Sequence, residues 1–261
     1  MRKALCWIAL VLAAFSGTTN AANTLTTDAS DMWWNASESG WGVNLTSQQE
    51  VIFLSMFVYG ADGKTKWYSA STSLQGFNSA GAGVYTGTLI ETTRPYFGGS
   101  YNQANVTTRT VGSVTLNLFV ESGTINYSID GVSVTKAITR YTFRNANMTG
   151  SYLGAAIFNV SGCTSGNGAY QNTASFSISH NGNAIAIAAS LSTGISCTYS
   201  GTYAQNGRMG SVNGTLQCSN GGRGTFRAFE TEASYQGFFT RYTADYGGGC
   251  TESGRIGGMK Q

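Results

Sequence analysis

Short runs in which apolar and polar residues alternate with a period of two follow one another from Trp41 to Thr243, and this period constrains the fold more than any other feature. In the first half the runs are "WGVNLTS", "VIFLSMFVY", "TKWYSASTSL", "VYTGTLIETT", "GSVTLNLFV", "GTINYSID" and "VSVTKAITRYTF". In the second they are "GSYLGAAIFN", "TASFSISH", "AIAIAASLS", "CTYSGTYA", "MGSVNGTLQC", "GTFRAFE" and "GFFTRYT". Asp-Gly in "YGADGKT" and "SIDGVS" and Asn-Gly in "SHNGNA" and "AQNGRM" supply hairpin turns. No window beyond the first residues has a helical period. The only long connection is "RPYFGGSYNQANV", around Pro95.

This pattern predicts an all-β chain of two tandem domains, residues 28–145 and 146–261. Two echoes support the division: "VYTGTL" with "TYSGTY", and "AITRYTF" with "FFTRYTA", at what read as comparable places in their halves. About seven hairpin-linked strands in each half suit an antiparallel up-and-down barrel, which closes on itself and leaves no edge. A pair of β-sandwiches is the alternative.

Arg2 and Lys3 precede the apolar run "ALCWIALVLAAF", and "TNAA" follows with small residues at the cleavage positions. Residues 1–21 therefore read as a secretory signal peptide. Twelve apolar residues fall short of the ~20 that span a bilayer. The expected location is secreted or periplasmic, with no integral membrane segment left after cleavage. Arg2 and Lys3 account for two of the +3 net charges, and no basic run follows, so nucleic acid is not an expected partner.

Past this segment lie four cysteines, Cys163, Cys197, Cys218 and Cys250, and an even number in a secreted chain reads as two disulfides. A hairpin turning at Asn206-Gly207 puts Cys197 and Cys218 on paired strands. Ideal two-residue pairing sets Cys197 opposite Leu216, so a Cys197–Cys218 bridge needs a slip or a bulge. Cys163–Cys250 would then tie the loop after the domain's first strand to the C-terminal tail. There is no CxxC, and the lone His180 sits in a turn, so neither a metal nor a cofactor is expected.

"WWNASESGWGVNLTSQ" followed by "IFLSMFVYGADGKTKWYS" resembles a module of secreted bacterial proteins with the signature W-N-x-x-E-S-G-W-G. "CTYSGTYAQNGRMGSVNGTLQC" resembles a second such segment; neither resemblance carries a function. "ESGWG" with "AITRY" also resembles the lipocalin and avidin arrangement, in which a G-x-W on the first strand stacks on an arginine of the last. That calycin-like resemblance implies Trp41 with Arg140 as the closing pair of the first barrel, and Tyr152 with Arg241 as that of the second.

Trp33, Trp34, Trp41 and Trp67 all lie in the first half, and all four cysteines past the leader in the second. The aromatic asymmetry assigns binding to the first. Trp33 and Trp34, ahead of the first strand, should stand at its mouth with at least one partly exposed, beside Glu38 and Trp67. The loop carrying Tyr96, Phe97 and Tyr101 would cover the same mouth. Glu38 could instead serve structure, by pairing with Arg140 or by capping the turn that starts the strand. A lone histidine in a turn and the lack of a G-x-S-x-G elbow leave no nucleophilic triad. The expected function is non-catalytic binding of a small molecule, glycan or peptide. The alternatives are a structural or adhesive envelope protein, or a hydrolase pairing Glu38 with Asp31, Glu91 or Glu121. A hollow first barrel would favour binding, and a filled one structure.

Overall fold

A computed structural model describes residues 27–94 and 96–261. The leader reading over residues 1–21 lies outside the described residues.

Among the described residues, sixteen strands form two closed antiparallel barrels, each joined in sequence order. The first comprises β1 (Asp31–Trp34), β2 (Gly42–Gln48), β3 (Val51–Tyr59), β4 (Thr65–Phe77), β5 (Gly83–Thr93), β6 (Thr107–Leu118), β7 (Ser122–Ile129) and β8 (Val132–Arg140). The second comprises β9 (Gly150–Ser161), β10 (Gly168–Asn181), β11 (Ala184–Leu191), β12 (Ser196–Asn206), β13 (Met209–Cys218), β14 (Arg223–Ala233), β15 (Gly237–Gly247) and β16 (Cys250–Lys260). Each barrel thus has eight strands rather than seven. The strands that the alternation does not reveal, β1 and β16, are the ones that close the circles, by pairing with β8 and β9.

Alternation sets the inside and the outside. On β3, Ile52, Leu54 and Met56 are buried while Val51 and Phe53 face solvent. On β10, Ala174, Phe176, Ile178 and His180 face inward. His180 is thus a buried strand residue rather than a turn residue. Its Nδ1 accepts the Met148 N–H, and its Nε2 lies 2.9 Å from the Gly182 carbonyl oxygen.

The hairpins fix the register. Asp130-Gly131 are the two turn residues between β7 and β8, both at positive φ, as a type I′ turn requires. The Asn-Gly hairpins differ. Asn206 pairs with Met209, so the turn is Gly207-Arg208, with Gly207 at φ +60° in the first position. Moving the turn by one residue changes cross-strand partners by two. Cys197 therefore lies directly opposite Cys218, with no slip or bulge between these strands.

The echoes do not mark equivalent strands. "VYTGTL" lies on the fifth strand of its barrel and "TYSGTY" on the fourth; "AITRY" lies on the eighth and "FFTRYT" on the seventh. One strand of offset reverses direction in an up-and-down barrel, so these matches cannot superpose.

The β12–β13 turn meets the first barrel. The Arg208 N–H donates to Asp31 at 2.8 Å, and the Arg208 side chain bridges Asp28 and Glu232 at 2.9 and 2.8 Å. The Gly207 N–H donates to Thr142 Oγ1, and Gln205 accepts the Ala146 N–H, both on the linker between barrels. A Cβ on Gly207 would stand 2.0 Å from Asp31 Oδ2 and 2.7 Å from Arg140 Cβ. Gly207→Ala should therefore push the turn off the first barrel, at about 1–3 kcal/mol for overpacking. Limited proteolysis between residues 141 and 149 should speed up. Gly194→Ala is the control, having a similar positive φ (+83°) but open space around it. Equal proteolysis of the two variants would show that the contact does not join the barrels.

Candidate functional site

The first barrel is closed at one end and packed within. Trp33, fully buried, donates its indole N–H to the Ala29 carbonyl and lies under the Arg140 guanidinium at 4.8 Å. Arg140 donates to the Val120, Asp28 and Ser30 carbonyls and pairs with Asp31 at 3.3 Å. Trp33, not Trp41, is thus the closing tryptophan. The reason is β1, which inserts Trp33 opposite Arg140 on β8. Trp41 precedes β2 and packs only partly buried against the core edge. Among the described residues, the largest fully buried side chains, including Leu45, Ile52, Leu54, Met56 and Leu116, belong to this barrel, with Met209 as the exception.

The other candidate residues of the first half do not converge. Trp34 points away from Trp33 on the same strand, and its ring meets Tyr141 edge-on at 4.8 Å. Trp67 faces outward beside Phe57, at 64% exposure. Tyr96 meets Phe97 with the rings tilted by 55°, and is 74% exposed. Glu38 pairs with Lys136 at 2.5 Å rather than with Arg140, and this bond holds its carboxyl below the usual range. The Trp41 indole N–H has no acceptor at hydrogen-bonding geometry among the described residues, yet stands close enough to add to that lowering.

The proposed carboxylate pairs are dispersed too. Asp31 is at the closed end, in the Arg140 plug, whereas Glu38 lies in the turn at the opposite end. Glu91 is held by Arg109 and Lys66 at 2.7 and 3.6 Å. Glu121 is in the β6–β7 turn at the closed end.

The second barrel has the same plug in a different alphabet. The Tyr152 hydroxyl donates to the Met148 carbonyl at 2.7 Å, four residues back, as Trp33 does to Ala29. Lys260, opposite Tyr152 in the register, lies 5.9 Å over its ring and donates to the Thr149 carbonyl. Arg241 does not fill this role. It lies on the outer face of β15, paired with Glu230 at 3.2 Å and stacked over Phe229. Inward and outward alternate, and Tyr242 takes the inward position.

Above the plug this barrel is not filled. Alanines occupy five of its inward strand positions, Ala156, Ala174, Ala189, Ala228 and Ala244, all buried. A cavity of about 520 Å³ opens at the far end, lined among others by Phe158, Phe176, Leu191, Tyr199, Tyr242 and Ile256. Both disulfides, Cys163–Cys250 and Cys197–Cys218, border its mouth. A smaller apolar void continues below, between Ile187, Phe226 and Phe238.

One carboxylate reaches into this cavity. Glu252 on β16 accepts hydrogen bonds from Tyr242 on one oxygen and from Tyr246, at 2.9 Å, on the other. Burial, reinforced by the Glu252 charge, pushes the phenols of Tyr199, Tyr242 and Tyr246 well above their ordinary range. They are neutral donors at physiological pH. Tyr199 lines the same cavity, its ring nearly perpendicular to that of Phe226. Sequence reasoning misses this constellation because the side of Glu252 can be assigned only once β16 is known to be a strand. The usable signal is the alternation of Cys250, Glu252, Gly254 and Ile256.

No family model matches the chain, and no curated protein resembles it in sequence. Among solved structures, that of the isotype 1 transferrin binding protein B from serogroup B Neisseria meningitidis aligns with 88% of this chain and 69% of its own, at 9% identity and a TM-score of 0.33. At that score the likeness is too distant to transfer any property of a site.

Proposed function

We propose that this is a secreted or envelope-located binding protein whose second barrel takes up a small, largely apolar molecule. The observation that carries this reading is the cavity of about 520 Å³ above the Tyr152 plug. Its size is that of a small-molecule site, and its apolar walls with a few convergent polar groups have the usual composition of one. A cavity blocked at its inner end takes a compact molecule end-on, not a threaded glycan or peptide. Two disulfides at the rim stiffen the mouth and suit an oxidising compartment. The filled first barrel serves as a companion, docked through Asp31 and Arg208.

N-phenyl-1-naphthylamine, an uncharged fluorophore, tests this reading. Its emission should rise on binding to the full chain. Ala189→Trp, which places an indole in the cavity, should abolish the rise, whereas Trp34→Ala and Trp67→Ala should leave it. No enhancement with wild-type protein, or enhancement that survives Ala189→Trp, would overturn the assignment.

A further inference from the structure

We infer that the occupant of the second barrel is a small organic cation, an amine or quaternary ammonium with an apolar body, whose charge is met by Glu252 within the tyrosine rings. The inference rests on the cavity reading above and specifies its ligand.

Three observations converge on it. First, the carboxylate has no cation of its own: no ion pair includes Glu252 among the described residues. The arginines of these strands, Arg223, Arg227, Arg241 and Arg255, occupy outward positions, and Lys260 is at the opposite end, over Tyr152. A carboxylate on an apolar wall is tolerated only when paired or well hydrogen-bonded. Tyr242 and Tyr246 supply the hydrogen bonds, and the charge remains for a ligand to balance.

Second, those hydrogen bonds orient the group. One phenol on each oxygen holds the carboxylate in place, so a ligand does not have to organise it. Third, the rings around it are of the right kind. Tyr199, Tyr242, Tyr246 and Phe158 line the same cavity as Glu252, and aromatic faces attract cations and repel anions. An anionic ligand would meet Glu252 unfavourably. A neutral one would cover the carboxylate without pairing it. The apolar body then has the walls of the cavity itself, Phe158, Phe176, Leu191 and Ile256, to lie against.

The experiment is displacement of N-phenyl-1-naphthylamine from the full chain by benzyltrimethylammonium and by neopentylbenzene, its uncharged carbon isostere. The ammonium should displace the dye at a concentration lower by about tenfold or more, the scale of cation–π attraction in a desolvated site. Glu252→Gln should bring the two competitors level, with neopentylbenzene unchanged. Tyr199→Leu, which removes a ring but leaves the Tyr242 and Tyr246 hydrogen bonds to Glu252 in place, should narrow the gap in part. Equal displacement of bound dye by both competitors from wild-type protein would overturn the inference and leave the cavity reading intact. A preference that survives Glu252→Gln would overturn the role of Glu252. Failure of the dye itself to bind would instead count against the cavity. The wild-type comparison needs no variant, so it decides the matter even if Glu252→Gln does not fold.

Discussion

Trp33→Ala should destabilise the first barrel by about 3–5 kcal/mol, the usual cost of deleting a buried tryptophan. Trp33 is fully buried, anchored to the Ala29 carbonyl and covered by Arg140. Trp41→Ala should cost much less, because that ring is only partly buried. Arg140→Met should match the Trp33 effect by a different route. It leaves the Asp31 carboxylate, 7% exposed, without its cation, and strips three carbonyls of their donor. Removing one partner of a buried pair costs about 3–5 kcal/mol. Asp31→Asn combined with Arg140→Met should then cost less than the two single losses added together, since the partners share one network. In protein without residues 1–21, and so without Trp7, tryptophan fluorescence reports on this barrel alone, because Trp33, Trp34, Trp41 and Trp67 all belong to it. Equal effects of Trp33→Ala and Trp41→Ala on the urea midpoint would refute the assignment of the plug.

The plug also marks where a sequence can be read and where it cannot. Long alternating runs such as "VIFLSMFVY" identify strands and their inner faces directly, because one face is buried and the period is two. β1 escapes that reading: four residues are too few to show a period, and adjacent tryptophans look like a surface cluster. With β1 missing, the nearest glycine-flanked tryptophan, Trp41, takes its place by default. β16 escapes for the opposite reason. It is eleven residues long, but Gly254, Gly257 and Gly258 replace the apolar side chains that would have shown a face. Close packing requires at least one of these glycines, since a Cβ on Gly254 would stand 2.3 Å from the Ile157 carbonyl oxygen. Lys260 and Glu252 are both hidden by that same gap.

Tryptophan content points to the first barrel as the binding one, and here packing volume is the better guide. Large aromatic side chains are as useful for filling a barrel as for lining a pocket. Inward alanines at 156, 174, 189, 228 and 244 can only leave space. Buried alanine on the strands is the legible signal among the described residues, five in the second barrel against Ala70 in the first, and those positions follow from the period of two.

Loss of the Cys163–Cys250 bridge should be the most costly change to the second barrel, and more costly than loss of Cys197–Cys218. The two bridges close chain segments of 87 and 21 residues. On the chain-entropy account, this corresponds to roughly 4.6 and 3.3 kcal/mol. Their places in the fold point the same way. Cys197 and Cys218 are opposite each other in a hairpin that a two-residue turn already registers. Cys163 and Cys250 fasten the turn after β9 to the start of β16, across the seam where the circle closes. No turn holds that seam, so the unfolded chain gains more freedom when its bridge is cut. Cys163→Ser/Cys250→Ser should therefore lower the calorimetric stability of the second barrel by about 1 kcal/mol more than Cys197→Ser/Cys218→Ser. Both double variants should leave the fluorescence-detected transition of the first barrel close to wild type. Because the seam bridge also borders the cavity, its loss should weaken dye binding as well. Equal destabilisation by the two variants would mean that strand register, not closure of the long segment, sets the worth of these bonds.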